Sequence, residues 1–190
     1  MIHLYTTDLI YRAINCIMHS GDEIDDKHVA TYILLLNDAI LHRFRKYPRA
    51  CAAVNEYAFR GLSYIAEETL EQYEEAQEDQ VSIYMPCFMS VTPDIRVAKS
   101  FAGNGGWVMV ITGLGECETM AEISGKSKFP KEQEILLCPN VCFEVANVNR
   151  AKREIELVYE HSECVLEEKY AETMEADDPE SPDRGRRGYN

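Results

Sequence analysis

Residues 134–159 read EILLCPNVCFEVANVNRAKREIELVY. Three short runs stand out in this stretch: Glu134-Ile135-Leu136-Leu137, Val141-Cys142-Phe143-Glu144-Val145 and Ile155-Glu156-Leu157-Val158-Tyr159. Each is rich in β-branched or aromatic residues, and turn-forming or charged residues separate them, so each reads as a strand. Upstream, Trp107-Val108-Met109-Val110-Ile111-Thr112 and Pro86-Cys87-Phe88-Met89-Ser90-Val91 have the same texture, with one helix-like insert, Asp94 to Phe101, between them.

Before residue 80 the period changes to that of helices. Asp8 is placed to cap a segment whose Leu9, Ile10, Ala13, Ile14 and Ile17 share one stripe, and Gly21 is expected to end it. Asp25 or Asp26 is expected to cap a second helix, with Val29, Tyr32, Ile33, Leu36 and Ile40 on its apolar side and a stop before Pro48. The acidic run Glu67 to Asp79 keeps Leu70, Tyr73 and Ala76 together, as in a surface helix with a solvated face. Helices followed by strands predict an α+β domain, not alternating βαβ units.

The chain's 190 residues, 46% hydrophobic and 27% charged, suffice for one globular core. Residues 1–170 are expected to form that single domain, and 171–190, acidic and then Arg/Gly-rich, a disordered tail. The formal charge of −14 makes nucleic acid a poor partner. The acidity is local: residues 67–80 carry seven acids and 160–180 carry nine, leaving the remainder nearly balanced. A phosphate-bearing ligand therefore remains compatible with the core.

The sequence contains no apolar stretch of membrane-spanning length and no recognisable leader. Seven scattered cysteines and the absence of an Asn-x-Ser/Thr sequon favour a reduced, intracellular protein, or a secreted one if a leader has been removed. Gly-x-Gly-x-x-Gly, the phosphate-binding Gly-x-x-x-x-Gly-Lys-Ser/Thr loop, His-Glu-x-x-His and Cys-x-x-Cys are all absent. Cys138 and Cys142 flank Pro139 with no second ligand pair near in sequence, and no metal site is expected from them.

Three features then occur in order, each beside a strand: Tyr57-Ala58-Phe59-Arg60-Gly61-Leu62, Phe88-Met89-Ser90-Val91-Thr92-Pro93, and Pro130-Lys131-Glu132-Gln133-Glu134-Ile135. Together with the helix that follows Leu4-Tyr5-Thr6-Thr7, this order resembles the Arg–Ser–Glu class of mono-ADP-ribosyltransferases, over roughly residues 3–160. That family includes arginine-specific animal enzymes and several bacterial toxins. The resemblance implies two packed, mostly antiparallel sheets that hold NAD in a cleft, with helices around them. It implies NAD as co-substrate, no metal, and an acceptor protein with an exposed arginine. A monomer is expected. Val91 and Thr92 depart mildly from the family's Ser-Thr-Ser and leave the first hydroxyl in place.

The chemistry of these residues agrees with that implication. A guanidinium suits a pyrophosphate through forked, charge-assisted hydrogen bonds, which makes Arg60 the candidate. Gly61, lacking a side chain, lets backbone approach a ligand, and in the resemblance it holds the nicotinamide amide. Ser90 would position Glu134 and line the nicotinamide pocket; a helix-capping role for Ser90 and Thr92 is the plainer alternative. The resemblance implies that Glu134 bonds the ribose 2′-hydroxyl and stabilises the sugar cation left by departing nicotinamide, and that Glu132 holds or deprotonates an acceptor guanidinium. In an extended Glu-x-Glu the two carboxylates share one face, roughly 6–7 Å apart. Phe101 is expected either to stack on the nicotinamide ring or to pack in the core. Water as acceptor, making an NAD glycohydrolase, and a non-catalytic acidic interaction module are the rival functions.

Overall fold

The computed structural model describes residues 2–6, 8–20 and 26–163. Gly21, Asp25 and the expected tail lie outside the described residues. Two helices, α1 (Ile2–Tyr5) and α2 (Asp8–Ser20), precede a long α3 (Lys27–Lys46). Asp26 caps α3 by accepting from the backbone N–H of His28 at 2.8 Å and of Val29 at 3.4 Å. Arg43, Arg45 and Lys46 in its last turn suit the negative end of the helix dipole. The buried stripe of α3 is Ala30, Ile33, Leu36, Asn37 and Ile40. Val29 and Tyr32, expected on that stripe, lie at its half-buried edge.

Strand β1 (Ala58–Leu62) follows, then α4 (Glu67–Asp79), whose buried residues are the expected Leu70, Tyr73 and Ala76. The rest of the described chain holds β2 (Ser82–Met85), β3 (Met89–Val91), α5 (Ile95–Ala102), β4 (Trp107–Thr112), β5 (Met120–Glu122), β6 (Ile135–Leu137), β7 (Val141–Asn149) and β8 (Glu154–Ser162). Five strands form one sheet in the order β1-β4-β8-β7-β2, antiparallel except for the β4–β8 pair. The other sheet, β3-β6-β5, is antiparallel throughout. The expected α+β architecture of helices and two packed, mostly antiparallel sheets is therefore the observed one.

The sequence of β6 explains the layering. Ile135 and Leu137 face the core between the two sheets, with Met109, Ile111, Phe143 and Leu157, while Leu136 faces the second core formed by α1, α2 and α3. A strand buried on both faces needs a continuous apolar run, and Ile-Leu-Leu supplies it. The small sheet is thus the middle layer between helices and the larger sheet.

Two strands escape the sequence pattern. Ser82–Met85 is a half-exposed edge strand paired with β7, and Met120–Glu122 is only three residues long. Conversely, of the expected strand 86–91 only Met89–Val91 is extended in a ladder. Pro86 has no N–H to give, and Phe88 turns into the helical core, its carbonyl accepting from Asn15 Nδ2 at 3.3 Å.

Helix α5 is capped by Asp94, which accepts from the Arg96 N–H at 2.9 Å, and packs against β1. Gly61 makes this possible. A Cβ there would lie 1.9 Å from the Ala98 carbonyl oxygen, so the missing side chain answers to helix packing. Gly61→Ala is expected to destabilise the fold by about 2 kcal/mol or more. Gly125→Ala, where a Cβ meets nothing within 4 Å, should stay within about 0.5 kcal/mol of wild type in the same urea-unfolding comparison.

Candidate active site

The two sheets are stitched at one point. Phe59 and Thr92 exchange both backbone hydrogen bonds, Phe59 N–H to Thr92 O at 2.8 Å and Thr92 N–H to Phe59 O at 2.9 Å. This bridge sets the residues beside it, Arg60 on β1 and Ser90 on β3, next to each other. The Arg60 guanidinium donates to the Ser90 carbonyl at 3.0 Å through Nη1 and to the Tyr11 hydroxyl at 2.9 Å through Nη2.

Ser90 and Glu134 meet by strand register. Met89 and Val91 turn into the inter-sheet core, so Ser90 points to the opposite face of β3. Ser90 is paired with Leu136 on β6, and Glu134, two residues before Leu136, faces the same side as a diagonal neighbour. The Ser90 hydroxyl donates to Glu134 Oε1 at 2.6 Å, a short charge-assisted bond. The other carboxylate oxygen, Oε2, accepts from the Ser127 hydroxyl at 3.2 Å. Both oxygens of Glu134 are therefore held, and its rotamer is fixed from two sides.

The segment before Glu134 departs from the expected extended form. Pro130–Glu132 is a turn of 3₁₀-helix, and Gln133 is left-handed, at φ 50° and ψ 42°. Proline presets the turn, and the left-handed residue then reverses the chain into β6. The i, i+2 strand spacing thus does not apply to Glu132 and Glu134. Both residues nonetheless line one cleft.

That cleft has a volume of about 360 Å³, and Arg60, Gly61, Ser90, Phe101, Glu132 and Glu134 all lie on its wall. Phe101 is 53% exposed there, which removes the core alternative. Thr92 and Asp94 do the local capping: Thr92 Oγ1 accepts from the Asp94 N–H at 3.2 Å, and Asp94 caps α5. The Ser90 hydroxyl is spent on Glu134 instead. The backbone of Gly61 lines the cleft, although the space beside its Cα is filled by α5 and not by a ligand.

Two contributors carry no signal in the sequence pattern. Tyr11 lies on α2, where helical spacing marks it only as a flank of the apolar stripe, yet its hydroxyl anchors Arg60. Ser127 sits in a loop of mixed polarity and holds Glu134. That loop is itself fixed, since the Lys128 N–H donates to Thr6 Oγ1 at 2.9 Å and the Phe129 N–H to Ser127 Oγ at 3.0 Å. Behind Tyr11 stands Tyr5, edge-to-face with both Tyr11 and Phe88 at 5.5 Å.

The electrostatics follow from burial. Tyr5 is raised well above an ordinary phenol, by burial first and by Tyr11 second, so it stays neutral. Burial also raises Cys87, against the lowering effect of Arg60, and keeps it a thiol. For Arg60 burial opposes the charge, but the pKa is nonetheless raised, chiefly by the adjoining Tyr11, whose hydroxyl accepts from the guanidinium. A permanently cationic fork thus stands beside a carboxylate whose two oxygens are hydrogen-bonded, on the wall of an open cleft.

The family model described as NAD:arginine ADP-ribosyltransferase matches residues 1–164. A search of curated protein sequences returns no match. Among solved structures, the ADP-ribosyltransferase HopU1 of Pseudomonas syringae pv. Tomato DC3000 aligns with a TM-score of 0.58 at 22% identity, over 80% of this chain and 65% of that one. The chain thus spans just under two thirds of HopU1. Exoenzyme S from Pseudomonas aeruginosa, in a complex bound to carba-NAD, aligns with a TM-score of 0.55 at 18% identity, over 86% and 72% of the two chains. The ADP-ribosyltransferase Vis in complex with agmatine gives 0.51 at 18% identity, over 85% and 72%.

Tyr11→Phe removes the acceptor of Arg60 Nη2 while keeping the ring in place. It is expected to cost about 1 kcal/mol of stability, since the half-buried guanidinium loses one acceptor but can turn that donor to water in the cleft. Urea unfolding at neutral pH checks this.

Proposed function

The chain belongs to the NAD:arginine ADP-ribosyltransferase family, and from that premise we propose that it transfers ADP-ribose from NAD to an arginine side chain of an acceptor protein. The observation that carries the reading is the triad at the sheet junction: Ser90 donates to Glu134 through its hydroxyl and accepts from Arg60 through its carbonyl.

In this reading the unspent donors of the Arg60 guanidinium bind the NAD pyrophosphate, and the backbone of Gly61 holds the nicotinamide amide. Phe101, exposed on the cleft wall, stacks on the nicotinamide ring. The bond from the ribose C1′ to the nicotinamide nitrogen breaks, and its electron pair leaves with nicotinamide. Glu134 accepts a hydrogen bond from the ribose 2′-hydroxyl and stabilises the oxocarbenium-like sugar. Its preorganisation by Ser90 and Ser127 matters because a fixed charge need not reorganise as the cation develops. An acceptor guanidine nitrogen then bonds to C1′, and Glu132 takes the proton it loses.

The reading is supported by the family match and by two neighbours of the same fold, one bound to carba-NAD and one to agmatine, a free guanidine. A basic or arginine-rich acceptor also suits the exposed acidic face of α4, where Glu68, Glu71, Glu75 and Glu78 face solvent. No helix among the described residues is long and apolar enough to cross a membrane.

The test follows labelled ADP-ribose from NAD to agmatine. Wild type is expected to transfer, and Glu132→Gln to lose transfer by about 100-fold or more while NAD hydrolysis changes only a few-fold, since one well-placed catalytic group is worth about 10²–10⁴. Equal loss of both activities would refute the acceptor role of Glu132. NAD consumption by wild type that ignores agmatine would identify a glycohydrolase.

A further inference from the structure

At the start of β7 the β7–β8 ladder contains a register shift. Val141 pairs with Ser162 and Cys142 with His161, but Phe143 pairs with Tyr159, which leaves Glu160 as the extra residue of a β-bulge. In a regular strand Glu160 and His161 would point to opposite faces. Here both are exposed on the outer face, next to Cys142, while Ile155 and Leu157 keep the inward positions. The bulge therefore gathers a thiol, a carboxylate and an imidazole from two strands into one cluster.

We propose that Cys142, Glu160 and His161 form a zinc site. Their ligand atoms all lie within 4.8 Å of one another. The Cys142 Sγ to Glu160 Oε2 distance is 3.5 Å. A tetrahedral zinc with bonds of about 2.3 Å to sulfur and about 2.1 Å to oxygen has an S···O edge of about 3.6 Å, so this pair already has the spacing a bound ion needs. Zinc fits the donors because it accepts soft sulfur, imidazole and carboxylate in one shell, whereas magnesium and calcium favour oxygen alone.

Water completes the shell, and Glu163, whose Oε1 is 3.8 Å from His161 Nε2, stands beside the cluster and not in it. The Tyr84 hydroxyl, from the edge strand β2, contacts the same nitrogen at 3.3 Å and gives it up on binding. The thiol of Cys142, which now donates to Glu160, loses its proton to solvent as the sulfur–metal bond forms. Cys138 takes no part. It lies in the helical core, on the other side of the small sheet. The ion pins β7 to the end of β8.

The test titrates the full chain with zinc in competition with a chromophoric chelator, and with cobalt as a spectroscopic substitute. One equivalent of zinc at micromolar affinity or tighter is expected, with a sulfur-to-cobalt charge-transfer band. Cys142→Ser should abolish that band, and His161→Gln, on an exposed side chain that leaves the fold intact, should weaken zinc tenfold or more. Cys87→Ser should change neither. Absence of stoichiometric binding, or binding that survives both Cys142→Ser and His161→Gln, would overturn the proposal.

Discussion

The hydrogen bond from the Ser90 hydroxyl to Glu134, 2.6 Å long, is the contact around which the candidate site is organised. Ser90 belongs to a strand of three residues, which by itself could hold nothing rigidly. It is held because Met89 and Val91 on either side are buried between the sheets, and because Thr92 exchanges two backbone bonds with Phe59. The same exchange brings Arg60 onto the Ser90 carbonyl. One serine thus ties a cation on the larger sheet to an anion on the smaller one. The helices α1 and α2 complete the arrangement from outside, with Tyr5 supporting Tyr11 and Tyr11 supporting Arg60.

The layered architecture explains which parts were legible beforehand. Leu70, Tyr73 and Ala76 repeat at helical spacing on a helix with one buried side, and periodicity found them. Ile135-Leu136-Leu137 is apolar throughout because it is buried on both faces, and composition found it. The edge strand Ser82–Met85 is half exposed on one side of a sheet, so neither signal was strong enough. For the candidate site, Arg60, Ser90 and Glu134 were readable because each sits in or directly beside a strand pattern and their order resembles a known family. Tyr11 and Ser127 were not, because each acts by a long-range contact that no local pattern encodes: Tyr11 reaches Arg60 across 49 positions, and Ser127 belongs to a loop.

The Glu132-Gln133-Glu134 segment shows how a motif can persist while its local geometry differs from the strand reading. Pro130 starts a tight turn, and Gln133 takes a left-handed conformation to re-enter the sheet. The two glutamates are therefore set in different surroundings: Glu134 is locked by two serine hydroxyls, and Glu132 sits on the turn at the cleft wall. A rigid carboxylate suits a charge that must be preorganised, and a turn residue suits contact with a variable acceptor. Gly61 carries a similar lesson. Its lack of a side chain answers first to α5, whose Ala98 carbonyl occupies the place of a Cβ, and the cleft gains an open backbone as a consequence.

The central claim is that the carboxylate held by Ser90 stabilises a ribosyl cation. Nicotinamide released from NAD, measured for wild type and Glu134→Ala at equal folded concentration, tests it most directly. The account predicts release by wild type that rises with agmatine and falls by at least about 10²-fold in the variant, the scale of losing a preorganised electrostatic contact in a transition state. Release by Glu134→Ala at the wild-type rate, or none from the wild-type protein with agmatine present, would contradict it.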